Sequence, residues 1–373
     1  MKILQLLTGL LAILALTMTA CSSGRTSSPP DAFRTTTTPS QDAGPRPIFQ
    51  ADDDENCGAT GYACVNGRSC DAGLCEPAWQ TISTEGTPDG RGQASAATLN
   101  GQYVIFGGCL ADTSVTATGG TYDPPSDTWS SFPDLITARA QHTSVSTSNE
   151  IYTLGGISSC YDGEAVGPGL EVMYTSDQGW VSDDASGWYN AYNIGLAYTG
   201  TSLFSYGGSN ASTPYLSTGS ALSLGTQWTD VSCNVLSNCP RSGLFAAFLD
   251  GPFIRVWGNG ATTSDGLLYD LTGAVWSTWT APDGTPDFGA TQPDSNVLRY
   301  ADDGRRQFYV NNDGTVSIYD RETVSWTTDA STAPEGFCNE AATTWVGHEL
   351  IAWSGICSGT VSTVGARYQP PAP

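Results

Sequence analysis

The chain has 373 residues, with 14 Lys plus Arg against 37 Asp plus Glu and a formal net charge of −23. Its one lysine is Lys2, which excludes a Walker-type phosphate loop and Schiff-base chemistry. A surface this acidic repels phosphate backbones and anionic head groups, so nucleic acid and direct adsorption to a membrane are excluded as partners.

Residues 1–20 run from Met1-Lys2 through an apolar stretch, Ile3 to Leu16, to Thr17-Met18-Thr19-Ala20. The stretch is shorter than the roughly 20 residues a spanning helix needs, and small residues follow it, so it reads as a cleavable export signal. Met18-Thr19-Ala20-Cys21 resembles the lipobox of bacterial lipoproteins, with methionine where leucine is usual. The resemblance implies acylation of Cys21 and, with Ser22 next, a lipid-anchored protein of the outer membrane facing the periplasm or the cell surface. An ordinary secretory signal with a fortuitous cysteine is the alternative. Residues 21–55, rich in Ser, Thr, Pro, Asp and Gln, cannot bury enough apolar surface to offset their ordering entropy and read as a disordered tether. The run Asp52 to Glu55 lacks the ligand spacing and turn glycine of a calcium loop.

Eleven cysteines divide into Cys21, a cluster of four and six scattered ones. Cys57, Cys64, Cys70 and Cys75 lie in residues 56–76 among glycines with almost no core formers, and a segment that short needs cross-links to fold. No C-x-x-C pair is present and export implies an oxidising compartment, so two disulfides of open connectivity are expected and no metal.

From residue 77 to 373 the chain repeats a unit: an apolar or aromatic strand, a marked turn, a second strand and usually a tryptophan. The turns are Gly107-Gly108, Gly155-Gly156, Gly207-Gly208, Gly258-Asn259-Gly260, Asn311-Asn312 and Ser354-Gly355. Each unit reads as a four-stranded antiparallel meander, strands a to d, with tight turns such as Asn100-Gly101. The sixth unit ends after Ala366-Arg367-Tyr368 without its tryptophan strand, while Trp79 precedes the first unit with no strands a to c of its own. The N-terminal strand is thus expected to complete the last blade and close a ring, leaving no free edge.

Strand, Gly-Gly, Tyr122-Asp123-Pro124, Trp129 and then Arg139-Ala140-Gln141-His142 resemble kelch repeats, best in the first two units and degraded in the last two. The resemblance implies an all-β, six-bladed propeller, in keeping with about 50 residues per blade. The six strand-d tryptophans, Trp79, Trp129, Trp180, Trp228, Trp276 and Trp326, are expected to be structural. The loops after strands b and d are long and share one face, where recognition on a rigid scaffold usually lives. The six remaining cysteines map there, giving the expected pairs Cys109–Cys160, Cys233–Cys239 and Cys338–Cys357.

Arg91, Arg139 and Arg241 precede inner strands and are expected near the axial mouth, to receive an anion or to pair with acids of adjacent blades. Trp188, Tyr189 and Tyr192 make the most aromatic loop, suited to stacking on a sugar or to burial between blades. His142 and His348, the only histidines, both have structural explanations, and no metal-ligand cluster, nucleophile elbow or dinucleotide fingerprint occurs. The expectation is a non-catalytic, cofactor-free, monomeric propeller that binds a protein or glycan through its long-loop face. One enzymatic alternative resembles the periplasmic sialic-acid mutarotases, with Glu340, Arg91 and Arg139 as acid and base at the mouth. A purely structural envelope lipoprotein is the other.

Overall fold

The computed structural model describes residues 54–59, 62–160, 170–173, 179–183, 190–213, 216–223, 227–234, 236, 239, 245–258, 265–280, 300–311, 313–338 and 340–373. The expected export signal, Cys21 and nearly all of the tether lie outside them. Among the described residues there is no helix, and the strands build six four-stranded antiparallel sheets. Blade 1 comprises Ser95–Leu99, Gln102–Phe106, Gly119–Asp123 and Thr128–Phe132. Blade 2 begins with strand a at Thr143–Ser146, blade 3 at Gly195–Tyr198, blade 4 at Phe245–Asp250 and blade 5 at Tyr300–Asp302. The chain is a six-bladed β-propeller.

Blade 6 is assembled from both ends of the propeller. Ala342–Val346, Glu349–Trp353 and Gly365–Tyr368 are joined by Trp79–Thr81, which pairs antiparallel with the C-terminal strand in the register Trp79↔Tyr368. The expected ring closure is therefore present, and the edge that a terminal three-stranded blade would expose is paired.

The repeated turns have a steric cause. Gly107 and Gly108 have φ of +66° and +96°, a region costly for side chains. A Cβ on Gly107 would stand 2.4 Å from His142 Cε1, and one on Gly108 2.7 Å from the Gly92 carbonyl oxygen. The turn must be bare because the next blade and the entering inner strand press on it.

Blades are joined by their tryptophans. The Trp129 indole donates to the Ser83 carbonyl (2.8 Å), Trp180 to Pro133 (3.1 Å) and Trp276 to Val231 (2.7 Å). Each acceptor lies just past strand d of the preceding blade. The same rings pack on strand b of that blade, Trp129 on Trp353 (5.2 Å), Trp180 on Phe106 (4.9 Å) and Trp276 on Tyr206 (4.6 Å). In these three blades indole burial supplies apolar area while the N–H stays paired, whereas the indole nitrogens of Trp79 and Trp228 have no hydrogen-bond partner among the described residues. Trp326 departs from the pattern in being only half-buried.

The Cys-rich segment forms a hairpin, Ser69–Asp71 with Leu74–Glu76, cross-linked Cys57–Cys70 and Cys64–Cys75. The sulfurs of Cys57, Cys64 and Cys75 lie within 4.8 Å of one another, but all three are consumed by these disulfides.

Candidate functional site

The innermost strands of the blades surround an axis whose two ends differ. At the long-loop end, the residue two positions before strand a adopts a left-handed backbone in four blades: Gln93 (φ +56°), Gln141 (+53°), Asn193 (+52°) and Glu340 (+63°). The kink lets the segments bond to one another around the axis. Gln141 N donates to the Gln93 carbonyl (2.9 Å) and Asn193 N to that of Gln141 (3.0 Å). Their side chains repeat the ladder, Asn193 Nδ2 to Gln141 Oε1 (3.0 Å) and Gln141 Nε2 to Gln93 Oε1 (3.1 Å). All four residues are buried, so on the side of blades 1 to 3 this end of the axis is sealed by hydrogen-bonded amides.

Glu340 occupies the equivalent place in blade 6, beside Gly92, where a Cβ would lie 3.1 Å from its Oε2. It is only 7% exposed, and Oε2 has no hydrogen-bond partner among the described residues. Burial without a compensating charge pushes its carboxyl pKa up to about 7.

The arginines expected at this mouth are occupied elsewhere. Arg91 donates to the carbonyls of Asp89 (2.9 Å), Gly107 (3.1 Å) and Thr118 (2.6 Å). Arg139 donates to Thr137 and Gly155 carbonyls and forms an ion pair with Glu171. Both are 1% exposed, and these side-chain partners belong to the arginine's own blade or its lead-in, not to an adjacent blade as the kelch resemblance implied. They hold the marked turn against strand a and offer no donor fork to a ligand. Tyr192 is half-buried against the Cys109–Cys160 pair, bridged by its backbone to Ser209. Arg241, Trp188 and Tyr189 lie outside the described residues.

Cysteines 109 and 160, 233 and 239, and 338 and 357 are bonded in the structure. His142 is 5% exposed, and neither ring nitrogen has a hydrogen-bond partner among the described residues. Burial first and the Arg139 charge second hold its pKa well below the ordinary histidine value, while the Phe106 backbone acts the other way. A neutral imidazole wedged under Gly107 is a packing group.

The other end of the axis is open. A cavity of about 530 Å³ is lined by strand-a residues of all six blades, together with Gly304 and Arg321 from the short turns of blade 5. It therefore lies at the short-turn end. Its volume falls in the range of roughly 300–1,000 Å³ typical of small-molecule sites. Around blades 6, 1 and 2, hydroxyls tie neighbouring inner strands: Thr98 Oγ1 donates to the Trp345 carbonyl (2.6 Å), Ser144 Oγ to that of Ala96 (3.1 Å), and Thr98 N to Ser146 Oγ (2.8 Å). Blades 3 to 6 contribute rings: Tyr198, Phe248, Tyr300 and Trp345.

Asp302 and Arg321 form an ion pair on this wall. Asp302 accepts from Tyr300 Oη (3.0 Å), Gly304 N (2.8 Å) and both Arg321 terminal nitrogens, one at 2.9 Å, which fills about four lone-pair directions of a carboxylate. Sequence reasoning missed this wall because Tyr300-Ala301-Asp302 is too short to show strand alternation, and Arg321 resembles any turn arginine.

No protein-family model matches the chain, and no curated protein matches it.

Proposed function

We propose that this chain is a kelch-type, non-catalytic binding propeller, exported and anchored through Cys21, whose ligand enters the axial bore from the short-turn face. The observation that carries this reading is the cavity of about 530 Å³ lined by all six inner strands. A concave site with few, convergent polar groups on a rigid scaffold is the usual form of a small-ligand site. Recognition thus moves from the long-loop face to the opposite end of the axis. The mutarotase alternative draws no support from Arg91 and Arg139, whose donors serve their own blades.

A photo-crosslinking residue at Ser146, in the bore, tests the face against one at Ser159, exposed at the long-loop end. Capture of an envelope component from Ser146 and not from Ser159 is the expected result, and the reverse pattern refutes the assignment. Anchorage is read separately, as metabolic incorporation of labelled palmitate that disappears in Cys21→Ala.

A further inference from the structure

We infer that the bore takes a neutral, ring-shaped polyol, a pyranose of an uncharged glycan, held between Tyr198 and Trp345. The inference rests on the bore being the binding site, and it names what the lining selects.

Charge is the first discriminator. Among the described lining residues only Asp302 and Arg321 are charged, and they cancel. The carboxylate is already saturated by four donors, and Arg321 is further committed to the Gly304 carbonyl (2.6 Å) and lies over the Phe248 ring at 5.1 Å. Neither group is free to pair with a charged ligand. The chain as a whole, at −23, repels anions. A cation would find no carboxylate with an open coordination site on this wall.

Polarity is the second. A purely apolar ligand would strip water from the Ser146 and Thr344 hydroxyls without replacing their bonds. Ser146 Oγ accepts from Thr98 N, which leaves its O–H to donate, and among the described residues Thr344 Oγ1 has only a long contact of 3.5 Å with Thr98 Oγ1. These hydroxyls match a ligand that carries hydroxyls itself.

Shape is the third. Tyr198 and Trp345 stand in blades 3 and 6, half the ring apart, and both line the cavity half-buried. Each is fixed at its polar end, Tyr198 Oη to the Gly200 carbonyl (2.5 Å) and Trp345 Nε1 to that of Gly347 (2.9 Å). One face of each ring is backed by a second ring: Tyr152 stacks on Tyr198 at 6.3 Å, and Phe308 on Trp345 at 4.9 Å with planes only 8° apart. A ring immobilised in this way loses little entropy when a second flat surface is laid on its other face. A pyranose offers that surface in its axial C–H groups and equatorial hydroxyls at its edge.

The full chain is titrated by calorimetry with maltotriose, cellotriose and chitotriose, and with trigalacturonic acid as the charged counterpart. The expected result is binding of at least one neutral trisaccharide, weakened about tenfold or more in Tyr198→Ala and in Trp345→Ala, and lost in Ser146→Trp. Tyr198→Phe and Trp345→Phe keep a stacking surface and should stay within about threefold, which separates loss of stacking from misfolding. If trigalacturonic acid binds best and Ser146→Trp blocks it, the bore stands and the neutral class is overturned. Neutral-sugar binding that survives Ser146→Trp overturns the bore as well. No binding by any of the four overturns this inference, leaving the crosslinking result to decide the bore.

Discussion

Arg68, in the disulfide module, and Glu349, at the start of strand b in blade 6, form an ion pair 281 positions apart with both side chains sealed from water. The guanidinium also donates to the carbonyls of Pro77 (2.9 Å), Ala78 (3.4 Å) and Arg367 (3.2 Å), so it grips both strands that close the ring. Asn66 Nδ2 bonds the other oxygen of Glu349 at 2.5 Å. The module is a clasp over the seam between the N-terminal and C-terminal strands.

Breaking one side of this pair should be costly. Arg68→Ala leaves the buried Glu349 with Arg367, 3.9 Å away, as its remaining charge partner, and breaking a buried pair of this kind destabilises by up to about 3–5 kcal/mol. Replacing both, as Arg68→Met with Glu349→Leu, should recover most of that loss, because the desolvation penalty disappears together with the attraction. Urea unfolding of the two variants measures it. A double variant as unstable as the single one would mean that the hydrogen bonds to the strand carbonyls, not the charges, carry the clasp.

The C-terminal residues are the other half of the clasp. Gln369 donates to the Ala63 carbonyl (2.8 Å) and accepts from Val65 N (3.1 Å), Tyr62 Oη donates to the Pro370 carbonyl (2.5 Å), and Arg306 to that of Pro371 (2.6 Å). Deleting residues 369–373 should loosen the module and raise amide exchange in Trp79–Thr81 and Gly365–Tyr368, while blades 2 and 3 exchange as before. Hydrogen–deuterium exchange by mass spectrometry reads this directly. Uniform acceleration across all blades would instead indicate one cooperative unit.

The ring was legible because its cause is periodic. Gly107-Gly108 and its equivalents recur at blade spacing, and the unpaired Trp79 had one vacant place to fill, beside Tyr368. Arg68 and Glu349 were not legible, since neither belongs to a repeat and only the closed ring brings them together. The site was obscured for a related reason. Its lining comes one short strand at a time from six blades, and residues such as Ala96, Ser146 and Tyr300 carry no signature singly. The arginines before strands a did stand out in the sequence, but the prominence of Arg91 and Arg139 reflects the marked turn they brace.

The tryptophans should separate by their indole bonds. Trp180→Phe leaves the Pro133 carbonyl without its donor and should cost about 1–3 kcal/mol beyond the lost area. The Trp79 indole nitrogen has no hydrogen-bond partner among the described residues, so Trp79→Phe should lose only packing against Tyr368 and Phe337. Thermal melts of the two variants should therefore place Trp180→Phe lower. Equal melting temperatures would show that area alone sets the contribution of these rings.

Two buried groups should give the stability profile opposing slopes. Glu340, held at about 7 by burial against an ordinary 4.5, binds its proton more tightly in the folded state. Stability is therefore lost as pH rises from about 4.5 through 7, by about 3 kcal/mol in all. His142, kept neutral by burial, is protonated only in the unfolded chain below 6.5, so its contribution is lost as pH falls below that value. Between about pH 5 and 6.5 the two slopes largely cancel in the native protein. Glu340→Gln should expose the histidine slope, with stability rising to 6.5 and then level, and should exceed the parent most above pH 7. His142→Gln should show the opposite, a decline from about 4.5 to 7. Urea midpoints from pH 4.5 to 8 for the three proteins decide it, since every other titrating group is common to them. If Glu340→Gln parallels the parent across the whole range, the carboxyl is ionised in the fold and has a counter-ion.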